Sequence, residues 1–292
     1  GDPGCDSDFD NSEVNVTTSA DSRARLMVVL DSSGSMNWNS CDSTFTGGDG
    51  SNECPGSDVL CATCNGGGTC ENGSADDSRM AKVKLALTDV VSAFGEVDYS
   101  LMRFHQRETD FACPGFNASN KSGGWQGGGA APCSGGFNAG DLLVSFSDGN
   151  EQSILGWVDG DSNYASPLPP IRTDWEVRGS GTTPLGGALV SAGDYLDDVR
   201  AVDPKATCRP YRVILITDGA ETCAGNPQSA AAALAADGAL VYVIGFATND
   251  IPTNTLLNNI AANGGTGSAI LVDDEVELSR ALATIIQEST LT

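Results

Sequence analysis

Two apolar runs, each closed by an aspartate, constrain this chain more than any other feature. Arg25-Leu26-Met27-Val28-Val29-Leu30 stops at Asp31, and Arg212-Val213-Ile214-Leu215-Ile216-Thr217 stops at Asp218. A short apolar run without polar alternation reads as a strand buried on both faces. Ala239 to Phe246 reads the same way, and Val97 to Phe104, Leu142 to Phe146 and Ala269 to Val272 are weaker strand candidates. Helical spacing falls between them. Behind Asp76-Asp77-Ser78, which can cap a helix, apolar residues recur at Met80, Val83, Leu87, Val90, Val91 and Phe94. Leu185, Ala188, Leu189, Ala192 and Leu196 make a second stripe. Ser229 to Ala236 makes a third helix, closed by Asp237-Gly238, and Leu278, Ala281, Leu282, Ile285 and Ile286 mark a fourth. Strands alternating with helices predict an α/β, Rossmann-like three-layer sandwich with a mostly parallel central sheet and helices on both faces. Ligands of such sheets gather beyond the carboxyl ends of the strands. Asp31 and Asp218 both stand there, although they are distant in sequence.

Two stretches interrupt the pattern. Residues at about 37–77 are rich in Gly, Asp and Asn and hold five cysteines, and residues at about 105–140 hold Cys113, Cys133 and the run GGWQGGG. Connections this long are uncommon in compact domains without a function or a staple of their own. The expected organisation is an N-terminal extension over 1–24 and one domain over 25–292 carrying two disulfide-stapled insertions. Both insertions follow strand carboxyl ends, so both are expected on the face of Asp31 and Asp218. Ten cysteines, an even number set mostly in Gly/Ser/Asn-rich loops, suggest a disulfide framework and hence a secreted, extracellular or cell-surface protein. Cys61-Ala62-Thr63-Cys64 is the zinc-like alternative, but a second such pair is missing and His105 is the one histidine. Cys5 and Cys208 each precede a strand, which suggests a Cys5–Cys208 bridge; the remaining eight cysteines admit 105 pairings.

Charge excludes several partners. Acidic residues outnumber basic ones 39 to 15, for a formal charge of -24. Nucleic-acid binders release phosphate counterions with a positive footprint, and this chain has the opposite field. DNA, RNA and anionic membranes are therefore poor partners, whereas cations and basic surfaces are favoured. Solubility alone is the plainer explanation of the same charge. No run of ~18 apolar residues is present to span a membrane, and the polar start GDPGCDSDFDNSE is no signal peptide.

Asp31-Ser32-Ser33-Gly34-Ser35 places a carboxylate and two hydroxyls at alternate positions after a buried strand. Oxygen-only ligands suit hard cations such as Mg²⁺, Mn²⁺ or Ca²⁺. A capped turn would use the same residue types. Two further segments favour the metal: Gly181-Thr182-Thr183-Pro184-Leu185-Gly186-Gly187, which opens a helix, and Thr217-Asp218-Gly219, which ends a strand. With these, the chain resembles the von Willebrand factor A-type (vWA) family over roughly residues 25–288. That family carries a metal-ion-dependent adhesion site of the form DxSxS, then Thr, then Asp. The resemblance assigns Asp31, Ser33, Ser35, Thr183 and Asp218 as the metal site, with Thr182 the rival of Thr183. It implies that the serines and threonine ligate the cation directly while the aspartates act mostly through water or the serine hydroxyls. A cation so held stays electron-poor and accepts a partner's Asp or Glu carboxylate; Mg²⁺ is the expected metal, with Ca²⁺ or Mn²⁺ as alternatives.

One departure stands out: about forty residues separate Ser35 from the first helix, where most family members enter it almost at once. The Cys-rich insertion, CRPYRVILITDGAETC and GGTGSAILVDDEVELSRAL also look like vWA regions of bacterial PilC/PilY-type pilus-tip adhesins or related secreted delta-proteobacterial proteins. The expected function is thus extracellular, metal-dependent adhesion to a protein or matrix carboxylate. The alternative is a structural subunit using the same site for contacts with pilus or filament subunits. Enzymatic activity is not expected. His105 lacks a nucleophile–base pattern such as GxSxG, and no phosphate loop is present. The Asp159–Asn163 and Asp6–Asp10 stretches fail the calcium-loop pattern and read as solvated acidic turns. Four Asn-x-Ser/Thr sequons, at Asn15, Asn72, Asn117 and Asn120, matter only in a eukaryotic source.

Overall fold

A computed structural model describes residues 23–40, 78–105, 139–159, 177, 179 and 181–290. Its strands are β1 (Arg25–Leu30), β2 (Asp98–Phe104), β3 (Gly140–Val144), β4 (Tyr211–Thr217), β5 (Ala239–Phe246) and β6 (Ile270–Val272). Its α-helices are α1 (Arg79–Ala93), α2 (Glu151–Val158), α3 (Leu185–Val202), α4 (Pro227–Ala236), α5 (Ile251–Asn263) and α6 (Glu275–Thr290). A 3-10 turn over Gly34–Asn37 follows β1. The six strands form one sheet in the order β3-β2-β1-β4-β5-β6. Every pairing is parallel except that of β2 with β3. The expected mostly parallel sheet, with helices on both faces, is therefore what the chain forms.

The alternation along each strand explains the two faces. Leu26, Val28 and Leu30 point to the side where α1, α2 and α6 pack, with Met80, Leu87, Trp157 and Leu282. Met27 and Val29 point to the other side, against Leu185, Leu189, Leu234 and Leu257 of α3, α4 and α5. Both sides of β1 are closed, which is why its sequence shows no polar alternation. Ser78 caps α1 by accepting the Ala81 N–H at 3.1 Å, as the Asp-Asp-Ser signal predicted.

Two differences from the sequence reading have local causes. The third strand is antiparallel and begins at Gly140, two residues ahead of the segment read as a strand. A side chain at Gly140 would meet Met102 Sδ at 2.3 Å and Ser191 Cβ at 2.9 Å, so glycine lets β3 lie against β2 and α3 without displacing either side chain. Helices α2 and α5 were not read from the sequence. Helix α5 buries Thr253, Leu257, Ile260 and Ala261 and packs Leu256 beside them, but four asparagines and two threonines break up its apolar spacing; Asp250, which caps it, and Pro252 in its first turn are a second signal.

Candidate metal centre

Strands β1 and β4 are neighbours in register, Leu30 opposite Ile216, and the Asp31 N–H donates to the Ile216 carbonyl at 2.9 Å. That pairing carries Asp31 and Asp218 to the same sheet edge. The chain then turns back on itself. Asp31 Oδ1 accepts the Ser33 N–H at 2.7 Å, and Asp31 Oδ2 accepts the Thr217 hydroxyl at 2.6 Å. Ser35 Oγ donates to Asp218 Oδ1 at 2.9 Å and lies 3.0 Å from Ser33 Oγ. Because the Ser35 proton is committed to Asp218, Ser33 is the donor to Ser35. Four of the five residues assigned from sequence thus form one hydrogen-bonded cluster of oxygens.

Thr183 reaches the cluster through the backbone. Gly34 N–H donates to the Gly181 carbonyl at 3.1 Å, which ties the serine turn to the loop before α3. Thr183 N–H donates to Thr222 Oγ1 at 2.8 Å, and Thr222 N–H returns a bond to the Thr183 carbonyl at 3.0 Å. Thr183 is buried and Thr182 exposed; Thr182 Oγ1 lies 3.2 Å from Cys223 Sγ. Glu221 fastens this clamp from both sides, accepting Gly186 N–H at the start of α3 and Cys223 N–H, each at 2.7 Å. The loops come so close that a Cβ on Gly186 would sit 2.7 Å from Asn226 N.

Electrostatics set this edge apart. Asp31 is fully buried, and burial, with the nearby Asp218 charge added, pushes its pKa up to about 7 against the pull of the Thr217 and Ser33 hydrogen bonds. Among the described residues, Asp218 is answered by Arg79, at the start of α1, which places Nη1 2.5 Å from Asp218 Oδ2. Two carboxylates and hydroxyl oxygens without a nitrogen or sulfur donor suit a hard divalent cation. The donor set therefore fits the group that the sequence implies, and a cation there would oppose the burial and the Asp218 charge that raise the Asp31 pKa. Arg79, Thr217, Glu221 and Thr222 were missed in the sequence; only Thr217, inside the run that ends at Asp218, carried a signal.

His105 ends β2. Its Nδ1 lies 2.7 Å from Asp141 Oδ1, and Arg103 Nε is 3.7 Å from Asp141 Oδ2. Asp141 and Arg103 are wholly buried, so His105 belongs to a buried charge network. Cys208 and Cys223 are both disulfide-bonded. They flank the two ends of β4, which spans roughly 20 Å, so they are not joined to each other. The other eight cysteines, and with them the Cys5–Cys208 pairing, lie outside the described residues, as do the acidic stretch at 6–10, nearly all of 159–163 and the four sequons. Both cysteine-rich insertions leave and return through closed necks: Asn39 is bridged to Ser78, and His105 N–H donates to the Ala139 carbonyl at 2.7 Å. Among the described residues, no helix is long and apolar enough to cross a membrane.

Comparison with known proteins agrees with this architecture. The family model "von Willebrand factor type A domain" matches residues 143–284, a span that includes Thr183 and Asp218 and begins after β1 and β2. The protein YwmC of Bacillus subtilis (strain 168), itself uncharacterised, is 40% identical over 123 residues, 42% of this chain and 44% of YwmC, so the match spans less than half of that relative. BatB from Bacteroides thetaiotaomicron superposes with a TM-score of 0.50 at 14% identity, over 92% of this chain and all of that one (100%). The pilus adhesin SpaC from Lactobacillus rhamnosus GG does so with a TM-score of 0.51 at 12% identity, over 91% of this chain and 30% of that one. At these identities the two structures share the fold.

Proposed function

We propose, for a chain that carries a von Willebrand factor type A domain, that it is an extracellular binding protein and not an enzyme, and that it captures a partner's Asp or Glu carboxylate at Asp31, Ser33, Ser35, Thr183 and Asp218. The observation that carries this reading is the convergence of Ser33, Ser35 and Asp218 hydroxyl and carboxylate oxygens on one another beside buried Asp31. Ser33, Ser35 and Thr183 would hold a divalent cation, Mg²⁺ first, with Ca²⁺ or Mn²⁺ as alternatives. Asp31 and Asp218 would orient the serines and balance its charge. Such a cation supplies an electron-poor coordination position for the partner's carboxylate. The oxidised state of Cys208 and Cys223 supports secretion, and the sequence resemblance to PilC/PilY-type adhesins is the ground for proposing a pilus tip or cell surface as its location.

The test is thermal unfolding with and without Mg²⁺, Ca²⁺ and Mn²⁺. A ligand of the native state stabilises by mass action, about 2.7 kcal/mol at a hundredfold excess over Kd. Asp31→Ala with Ser33→Ala should abolish that gain; an unchanged gain would sink the metal assignment. Polymerisation in Mg²⁺ that EDTA reverses would favour the filament-subunit reading, whereas a monomer that binds cells or matrix in the same cation would favour adhesion.

A further inference from the structure

Three residues beyond the last serine of the metal turn stands Trp38. It is the one aromatic side chain among the exposed large hydrophobic residues described, 38% accessible. A single exposed apolar residue is ordinary on a soluble protein. This one is distinguished by how firmly it is held and by what holds it. Its N–H donates to the Ser35 carbonyl at 2.9 Å, and its own carbonyl accepts the Arg79 N–H at 2.9 Å. The Arg79 guanidinium lies over the ring, 6.0 Å from its centroid. The same guanidinium bonds Asp218 Oδ2. One cation therefore fixes the indole relative to the carboxylate of the metal centre. Closing the core beneath this turn falls to Met36, which is fully buried, so the core does not need the indole.

Resting on the carboxylate-capture reading above, we propose that Trp38 is a second contact of the docking face. It receives an apolar, preferentially aromatic, side chain one or two residues from the captured carboxylate. The span supports this. Arg79 bridges ring and carboxylate, which holds the indole within roughly 10 Å of Asp218 Oδ2; one or two residues of extended chain at about 3.3–3.6 Å each, together with the reach of the two partner side chains, cover that span. A rigid, amphipathic ring loses little freedom on contact, which is why tryptophan and tyrosine concentrate binding energy in interfaces. The -24 charge adds a second requirement. It repels acidic segments at long range, so the partner's sequence around its one carboxylate is neutral or basic.

Three blocked tetrapeptides test the inference: Gly-Glu-Gly-Gly, and the same peptide with Phe at either position after Glu. Titration calorimetry in Mg²⁺ should show one Phe peptide bound roughly five- to tenfold tighter than the Gly peptide. Trp38→Ala should lose that preference while keeping the wild-type gain in thermal stability with Mg²⁺, and Trp38→Phe should keep most of the preference. Equal binding of the three peptides by wild type, or a preference that survives Trp38→Ala, overturns the role of Trp38 and leaves carboxylate capture standing. Loss of the Mg²⁺ gain in Trp38→Ala also overturns it, by assigning the residue to the shape of the metal turn. Failure of every peptide to bind in Mg²⁺, or binding that persists in EDTA, overturns carboxylate capture and this inference with it.

Discussion

Two buried carboxylates at opposite edges of the sheet, Asp203 and Asp31, are treated in opposite ways. At the strand amino ends, Asp98 and Asp203 are surrounded by arginines. Arg209 Nη1 lies 3.1 Å from Asp98 Oδ2, and Arg25 and Arg23 stand 3.7 and 4.0 Å from the same carboxylate. Asp203 Oδ2 is 3.0 Å from Arg25 and 3.2 Å from Arg209, and it accepts the Tyr211 hydroxyl. Burial pushes the Asp203 carboxyl up, yet Tyr211, the Lys205 N–H and the two arginines together hold it below the usual range, whereas at Asp98 burial and the nearby Asp148 charge prevail over the arginines and leave it raised. At the strand carboxyl ends, Arg79 is the cation paired with Asp218 among the described residues, and Asp31 is pushed up to about 7. The lesson is that two arginines and a hydroxyl outweigh burial at Asp203, whereas burial and the Asp218 charge outweigh the hydrogen bonds at Asp31.

The comparison breaks most readily at the matched edge. Asp203→Ala takes from Arg25 and Arg209, which are mostly buried, one of the two carboxylates they share, and should cost about 3 kcal/mol in urea unfolding while the gain on adding Mg²⁺ stays intact. A cost near zero, or a lost Mg²⁺ gain, would mean the edges do not divide these roles.

Arg79→Met tests the other edge. It strips Asp218 of its guanidinium and should cost the metal-free protein about 2 kcal/mol. Because the freed carboxylate then has more to gain from a cation, Mg²⁺ should restore more stability to this variant than it adds to wild type. An equal or smaller restoration would contradict the charge deficit.

A third prediction concerns pH. The folded-state pKa of Asp31 is raised, so the folded protein holds a proton that the unfolded chain releases between the ordinary carboxylate range and pH 7. This group favours the metal-free fold at low pH and penalises it progressively as pH rises toward 7. Asp31→Asn carries no such penalty. In EDTA, its melting temperature relative to wild type should climb from pH 4 to pH 7; a flat difference would remove the burial argument.

The smallest effects should come from the threonine clamp. Thr222→Val removes the acceptor of the Thr183 N–H and should cost about 1 kcal/mol, with weaker Mg²⁺ binding as its second mark. Comparing Thr183→Val with Thr182→Val by Mg²⁺ titration sharpens the ligand assignment: the first should weaken binding and the second should not.

The places where the sequence reading succeeded and failed share one physical cause. Strands β1, β4 and β5 are covered on both faces, and their unbroken apolar runs say so directly. Helices α1, α3, α4 and α6 were legible from their apolar stripes or caps. Helix α5 was not, because asparagines and threonines are interleaved with Leu256, Leu257, Ile260 and Ala261. The direction of β3 was hidden as well, since a strand's residues do not record which way its neighbour runs, and Gly140 reads as a breaker until Met102 is seen beside it.

The sequence by itself determined that Asp31, Ser33, Ser35, Thr183 and Asp218 stand at strand and helix ends of an α/β sheet, because hydrophobic period and local turn chemistry are properties of short segments. Only the tertiary structure decided that Ser35 bonds Asp218, that Arg79 answers that charge and holds Trp38, and that Glu221 and Thr222 clamp the threonine loop. These are contacts between segments tens to hundreds of residues apart, and burial, which raises the Asp31 pKa, exists only once the whole sheet has closed around it.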